Sequence, residues 1–220
     1  MSYHSRKYFL NEDFLSLWTQ EMAYVLGFWY ADGHMRHARS YRIIFSSKDK
    51  DHLISIRNSF TSNSPVVDDR NSYSLVICSK KLYFELSRLG GTSHKSASIT
   101  FPKLPEQFLP DFIRGYFDGD GSVHFIHYKH TKNGKHYTNI RSNFTCGSKV
   151  FLESIKNILH SKIGLFERKV CQYGPHQFKL GYGQKDTAKL LGFMYYPGHT
   201  TALTRKAAYL PKIKAKCDII

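Results

Sequence analysis

Two runs of apolar and aromatic residues, each ending in Asp-Gly, dominate the pattern of hydrophobic and polar positions along the chain. The first reads MAYVLGFWYADGHM over residues 22–35, and the second reads PDFIRGYFDGDGSV over residues 110–123. Each run is long enough to form a helix, and a helix that is apolar on most sides is expected to be enclosed by protein. The pattern therefore predicts two copies of one structural unit in this chain.

The segments that follow the two runs have the same order. Alternating apolar and polar positions predict strands, whereas three-to-four-residue spacing predicts helices. After the first run we predict a strand at 36–45, a helix at 49–60, a strand at 72–78 and a helix at 80–90; after the second run we predict strands at 124–128 and 135–145, a helix at 149–161, strands at 169–172 and 177–182, and a helix at 186–196. Hairpin-connected strands beside separate helices indicate an α+β fold.

Three prolines separate the two repeats. Pro102, Pro105 and Pro110 lie in one short segment and discourage helix there. We therefore expect one half to span residues 1–105 and the other to span residues 106–220.

Small residues four positions apart occur in both runs. Gly27 precedes Ala31 by four residues, and Gly115 precedes Gly119 by four. Residues at this spacing share one face of a helix, and a face of Gly and Ala allows another helix to approach closely. A glycine inside a helix costs about 1 kcal/mol relative to Ala, so a compensating contact is expected. We predict that the two helices pack on each other.

Each predicted helix ends at an aspartate followed by a glycine. Gly33 and Gly121 suit the left-handed conformation that often follows a helix. Asp32 and Asp120 would then lie at the negative ends of two helix dipoles, which is unfavourable by about 0.3–1 kcal/mol each. A bound cation would relieve both, and carboxylates are ligands that Mg²⁺ prefers. Asp-Gly is also a common turn dipeptide, but two copies at matching offsets favour the metal site.

Charge points to the partner. The chain has 220 residues, with 32 Lys and Arg against 17 Asp and Glu, a net charge of +15. That balance is typical of a protein that binds the phosphate backbone of nucleic acids, although a merely basic enzyme is an alternative.

The four cysteines contain no CxxC pair, which argues against a zinc cluster or a disulfide scaffold. No apolar run approaches the roughly 20 residues that cross a bilayer, so we expect an intracellular protein, cytoplasmic or organellar, without a membrane association.

The two motifs resemble those of the LAGLIDADG homing endonucleases. The matching nonapeptides are VLGFWYADG, from Val25 to Gly33, and IRGYFDGDG, from Ile113 to Gly121. Two copies in one chain resemble the monomeric members, and the resemblance extends from about residue 20 to about residue 210. It implies two pseudo-symmetric αββαββα halves packed through the motif helices, with antiparallel sheets that form a DNA-binding saddle.

The resemblance also implies an activity and its residues. Asp32 and Asp120 would bind Mg²⁺, with Mn²⁺ able to substitute, helped by the backbone carbonyls of Ala31 and Gly119. The basic residues that match the family's active centres are Lys95 and Lys206, with Ser47 completing the pocket. Such an enzyme hydrolyses one phosphodiester in each strand of double-stranded DNA and leaves short 3′ overhangs.

The two motif copies differ at their sixth position, which is Tyr30 in the first and Asp118 in the second. The difference predicts a long, asymmetric DNA target and two active centres of unequal rate. The metal-binding aspartates are present in both copies.

DNA recognition is expected on the strands, because a two-stranded ribbon fits the major groove and presents alternate side chains to it. Most of these residues would contact phosphates, and the glutamines would read bases. The predicted contacts are Arg36, Arg39, Arg42, Arg70, Lys129, Lys132, Lys135, Arg141, Arg168, Gln172, Gln177 and Lys179.

Two other functions fit the same fold. An intron maturase would bind intron RNA, and a regulator would bind DNA without cutting it. Net charge does not separate these three functions, but the retention of both Asp32 and Asp120 favours cleavage.

Overall fold

The computed structural model describes residues 7–93, 97–131 and 134–216. The first repeat contains α1 (Gln20–Asp32), β1 (Gly33–His37), β2 (Tyr41–Ser47), α2 (Lys50–Ser59), β3 (Val66–Asp69), β4 (Ser72–Cys78) and α3 (Lys80–Arg88). After a 3₁₀ turn at Glu106–Phe108, the second contains α4 (Leu109–Asp120), β5 (Gly121–Lys129), β6 (His136–Cys146), α5 (Lys149–Ile163), β7 (Cys171–Gly174), β8 (Gln177–Tyr182) and α6 (Gln184–Met194). The short helices α7 (Thr204–Ala207) and α8 (Tyr209–Lys216) follow.

The predicted α+β architecture is confirmed, with two differences in the first repeat. The strand predicted at 36–45 is a hairpin of β1 and β2, because a polar, exposed turn interrupts it after His37. Strand β3 was not predicted, since only four residues form it and two of these are aspartates. Neither α7 nor α8 was predicted.

Each repeat forms one four-stranded antiparallel sheet, with the order β1-β2-β4-β3 in the first and β5-β6-β8-β7 in the second. One face of the first sheet, which we call the inner face, carries the buried side chains of Ile43, Phe45 and Leu75. Neighbours along a strand point to opposite faces, whereas paired residues on adjacent strands share a face. The outer face is therefore formed by the alternate residues, and it is the surface available to a partner.

The motif helices α1 and α4 pack directly on each other, as predicted. Backbone meets backbone at the glycines: a methyl group added at Gly27 would overlap the Phe112 carbonyl oxygen, and one added at Gly115 would overlap the carbonyl oxygen of Tyr24. These contacts join the two repeats along buried helices, and the two sheets continue from the same end of the pair.

The expectation of a left-handed glycine after each motif helix is wrong. Gly33 has φ −99° and ψ 161°, and Gly121 has φ −88° and ψ 161°, so both are extended. Each glycine is the first residue of a strand, and a methyl group there would overlap the ring of Trp29 or Phe117. Close approach of an aromatic ring, rather than backbone conformation, requires glycine at these positions.

Within the described ranges 7–93, 97–131 and 134–216, no helix is both long and apolar enough to span a membrane.

Candidate active site and nucleic-acid interface

The two motif aspartates are the last residues of α1 and α4. Asp32 is exposed and Asp120 is half-buried. The helix ends adjoin closely, because a methyl group built at Gly119 would overlap the Ala31 side chain and lie 3.0 Å from Asp32 Oδ2. The glycine in the second motif thus allows the Asp32 carboxylate to lie beside the main chain of α4.

Lys206 lies at the same place, although it is only 4% exposed. Its ammonium donates to the carbonyl oxygens of Phe117 (2.6 Å), Asp118 (2.8 Å), Gly119 (3.4 Å) and Gly121 (2.6 Å). A cation at these positions satisfies the carbonyls left unpaired where a helix ends. Lys206 therefore fixes the turn from α4 into β5.

The pKa of Lys206 is lowered to about 8. Burial is the main cause, and the nearby carboxylates of Asp118, Asp32 and Asp120 oppose it by favouring the charged form. The site is thus an arrangement of two motif carboxylates around one buried amine.

A buried network holds the segment that bears Lys206. The Asp118 carboxylate accepts hydrogen bonds from Tyr195 Oη (2.6 Å), the Leu203 backbone N–H (2.7 Å) and Tyr24 Oη (2.8 Å). Burial raises the pKa of Asp118, and these three hydrogen bonds oppose that increase. Because Leu203 is the N-cap of α7, Asp118 positions the helix that contains Lys206.

The corresponding position of the first repeat makes a different contact. Tyr30 occupies the position equivalent to Asp118, and its hydroxyl donates instead to the Leu89 carbonyl oxygen at 2.6 Å. Tyr24 and Tyr195 were not predicted as site residues, since nothing in their sequence neighbourhoods distinguishes them from core aromatics. The difference between the motifs at their sixth position was the available signal.

The donor set fits a small divalent cation. Among the residues that the structure describes, no cluster of three or more His, Cys, Asp or Glu side chains could hold a metal. Mg²⁺ needs fewer, since it keeps several waters and takes one or two carboxylates. Asp32, Asp120 and adjoining main-chain oxygens meet that requirement.

A hollow of about 280 Å³ opens beside Asp120. Its walls include Ala31, Thr145, His176 and Gln177. Thr145 Oγ1 donates to the Asp120 carbonyl oxygen at 2.9 Å, which fixes the end of α4 against β6. His176, in the β7–β8 turn with φ 58°, borders the same hollow as Asp120 and was not predicted. Ser47, which was predicted to complete the pocket, accepts a hydrogen bond through its Oγ from the backbone N–H of Asp49 at 3.1 Å.

Several predicted DNA contacts share the outer faces of the sheets. On β1 and β2, Arg36 pairs with Arg42. On the second sheet, Arg141 pairs with His124 and Lys179 with Thr145. Arg141 and Lys179 border a hollow of about 420 Å³ together with Arg168. The remaining basic positions are exposed near strand ends or in connections, at Arg39, Arg70, Lys129 and Lys135.

Gln172 and Gln177 have different surroundings. Gln177, the first residue of β8, lines the hollow beside Asp120. Gln172 is exposed on β7, pairs with Phe178, and borders a hollow of about 350 Å³ together with Arg168 and Lys179. Two predicted residues, Lys95 and Lys132, lie outside the described residues.

The chain has the fold of solved LAGLIDADG endonucleases. No family model and no curated protein matches the sequence. Among solved structures, LAGLIDADG meganuclease I-AabMI bound to uncleaved DNA is 14% identical with TM-score 0.61, over 89% of this chain and 90% of that one. I-DmoI in complex with DNA and Ca is 17% identical with TM-score 0.59, over 92% and 99%. I-DmoI with DNA and Mn is 17% identical with TM-score 0.54, over 84% and 97%. The predicted fold is confirmed.

Proposed function

We propose that this chain is a site-specific endonuclease that hydrolyses one phosphodiester in each strand of double-stranded DNA, using divalent ions held by Asp32 and Asp120. The observation that carries the proposal is the meeting of these two helix-end carboxylates beside buried Lys206. The net charge of +15 supports a polyanionic substrate. The likeness in fold to I-AabMI bound to DNA and to I-DmoI with DNA and Ca or Mn supports both substrate and metal class.

The residues of the site have separable tasks. Asp32 and Asp120, with the carbonyls of Ala31 and Gly119, hold the ions, Mg²⁺ or Mn²⁺ in its place. A divalent ion supplies a water of lowered pKa and stabilises charge on the phosphate and leaving oxygen. Lys206 was predicted as catalytic, and its four carbonyl partners support a positioning role at the end of α4. Lys95 is proposed as the catalytic basic residue of the first half, where its cationic side chain would stabilise developing charge or help to organise water.

The arrangement of the chain supports a monomer. The motif helices of both repeats pack on each other within one chain, so two metal-binding aspartates meet without a second copy. The two outer faces differ in composition, which supports a long, asymmetric target. We propose short 3′ overhangs as the product.

The test is selection of a target from a random DNA library, followed by cleavage. Binding is measured in Ca²⁺, and cutting is measured in Mg²⁺, in Mn²⁺ and in EDTA. Asp32→Asn and Asp120→Asn should each abolish double-strand cutting and leave binding within a few fold of the parent. Asp51→Asn is the matched control, because Asp51 is an exposed aspartate in the first turn of α2, and it should cut normally.

Two results would contradict the proposal. Tight, sequence-specific binding without cutting in any metal would favour the DNA-binding regulator. Stronger binding to structured intron RNA than to any selected DNA would favour the maturase.

A further inference from the structure

An apolar cluster occupies the outer face of the first sheet. Ile44 pairs with Val76 across β2 and β4, and Val67 on β3 pairs with Ser74, two residues before Val76 on β4. Val67 is 45% exposed, and Ile44 and Val76 are half-buried. We call Ile44, Val67 and Val76 the apolar cluster. Val67 and Val76 border a hollow of about 370 Å³, together with Tyr8 and Leu10 of the segment before α1.

The second sheet lacks this cluster at equivalent positions. The strand pairing gives the alignment of the two repeats. Gly33 pairs with Phe45 in the first repeat as Gly121 pairs with Phe144 in the second. On the next strand, Phe45 pairs with Leu75 as Phe144 pairs with Leu180. By this register, Ile44 corresponds to Asn143, Val76 to Gly181 and Val67 to Cys171. The strand pairing of the fold therefore does not require branched apolar side chains at these three positions.

The surroundings of the cluster identify the occupant as a polyanion with exposed apolar groups. Arg42 is two residues before Ile44 on the same face, and it pairs directly with Arg36. Like charges directly opposite one another repel, so an anion between them is favourable. In the major groove of DNA the apolar group is the C5 methyl of thymine. A strand face with guanidinium groups beside branched aliphatic side chains matches phosphates flanking a thymine-containing groove.

We propose that Ile44, Val67 and Val76 determine specificity by contacting thymine C5 methyl groups in the half-site bound by the first repeat. The inference rests on the proposed function for its DNA target, but it concerns binding and does not require cleavage. The second repeat, with Asn143 and Gly181 at the corresponding places, reads its half-site without such methyl contacts at those positions.

The test replaces thymine by uracil, which removes the C5 methyl and leaves Watson–Crick pairing unchanged. The selected target is synthesised with uracil in one half-site or the other, and the Kd is measured in Ca²⁺. Nuclease footprinting identifies the half-site that the first repeat binds: it is the half-site that Arg36→Ala protects less well than the parent does. We expect uracil at the contacted positions there to weaken binding about fourfold for each methyl group lost, with a smaller change in the other half-site.

Matched variants separate the contact from general effects on DNA. Val76→Thr keeps the branched shape and the strand preference but replaces one methyl group by a hydroxyl, so it should reduce the difference between thymine and uracil, while Ile44 and Val67 retain their part of it. Val150→Thr is the control, because Val150 is 62% exposed on α5; it should retain the full difference. Gly181→Val tests the converse: a methyl built at Gly181 comes no closer than 4.0 Å to the Ser142 carbonyl oxygen, so the valine fits, and thymine preference should appear in the second half-site.

Distinct results overturn this inference and the proposed function. A first half-site without thymines, or equal binding of thymine and uracil DNA there, would overturn the inference while leaving endonuclease activity intact and would assign the apolar cluster to another occupant. A uracil effect that persists unchanged in Val76→Thr would also overturn it. Methyl-dependent binding without cleavage would support the inference and contradict the proposed nuclease activity.

Discussion

The ion pair between Arg114 and Asp111 tests how burial determines the contribution of a charged side chain to the free energy of unfolding. Both side chains are buried on α4, with Arg114 Nη2 2.8 Å from Asp111 Oδ1. Arg114 also donates to the carbonyl oxygens of Met194 (2.8 Å) and Thr201 (3.0 Å). Arg114→Met removes the cation and leaves a buried carboxylate without its counterion. We expect a loss of about 3–5 kcal/mol in the free energy of unfolding.

The chain contains a matched pair at the surface. Arg88 and Glu85 form an ion pair at the same three-residue spacing on α3, but the Arg88 side chain is 72% exposed. Arg88→Met should therefore cost less than about 1 kcal/mol. Urea unfolding followed by circular dichroism gives both values from the shift in midpoint, provided that the slope with denaturant is unchanged.

A double variant isolates the cause. Asp111→Leu combined with Arg114→Met replaces both charges by apolar groups of similar size, so it should recover much of the stability lost in Arg114→Met alone. Equal losses for Arg114→Met and Arg88→Met would refute the burial argument. A double variant only as stable as Arg114→Met would show that the lost hydrogen bonds from Arg114 to the Met194 and Thr201 carbonyls, rather than the orphaned carboxylate, set the cost.

Three further predictions follow from the helix pair and its neighbours. Gly115→Ala should destabilise the protein by about 1–3 kcal/mol through overlap with the opposite main chain, whereas Gly192→Ala, with nothing within 4 Å of the added methyl, should stabilise it by up to about 1 kcal/mol in urea unfolding. Burial lowers the pKa of His52 to about 4. Between pH 6.5 and 4 the unfolded state then binds more protons than the folded state, so the free energy of unfolding falls as pH falls. This part of the fall should be absent in His52→Gln. If the urea midpoint of His52→Gln depends on pH as that of the parent does, His52 is not its cause. Millimolar Mg²⁺ should raise the melting temperature of the parent but not that of the Asp32→Asn, Asp120→Asn double variant, and equal shifts would place the ion elsewhere.

Sequence alone predicted the features that depend on local pattern. The paired apolar runs gave two motif helices, and the small residues at Gly27 and Gly115 indicated their contact because only close packing compensates glycine inside a helix. The aspartates followed from their position at the helix ends. In each case the physical cause lies within a few residues of the feature.

The features missed depend on contacts between distant segments. Asp118 meets Tyr24 and Tyr195 through tertiary packing, and no spacing in the sequence predicts that association. Lys206 was identified by resemblance, but its burial against four carbonyls required the fold.

The backbone contact at Gly27 and Gly115 has a consequence for the geometry of cutting. Where main chain touches main chain, no side-chain rotamer can change the separation of the helices, so the interval between Asp32 and Asp120 is set by the peptide backbone. In an enzyme of the proposed kind, the distance between Asp32 and Asp120 is therefore fixed, and it determines the spacing between the cuts in the two strands. The sheets can then exchange outward-facing residues and acquire new targets while the length of the overhang stays constant.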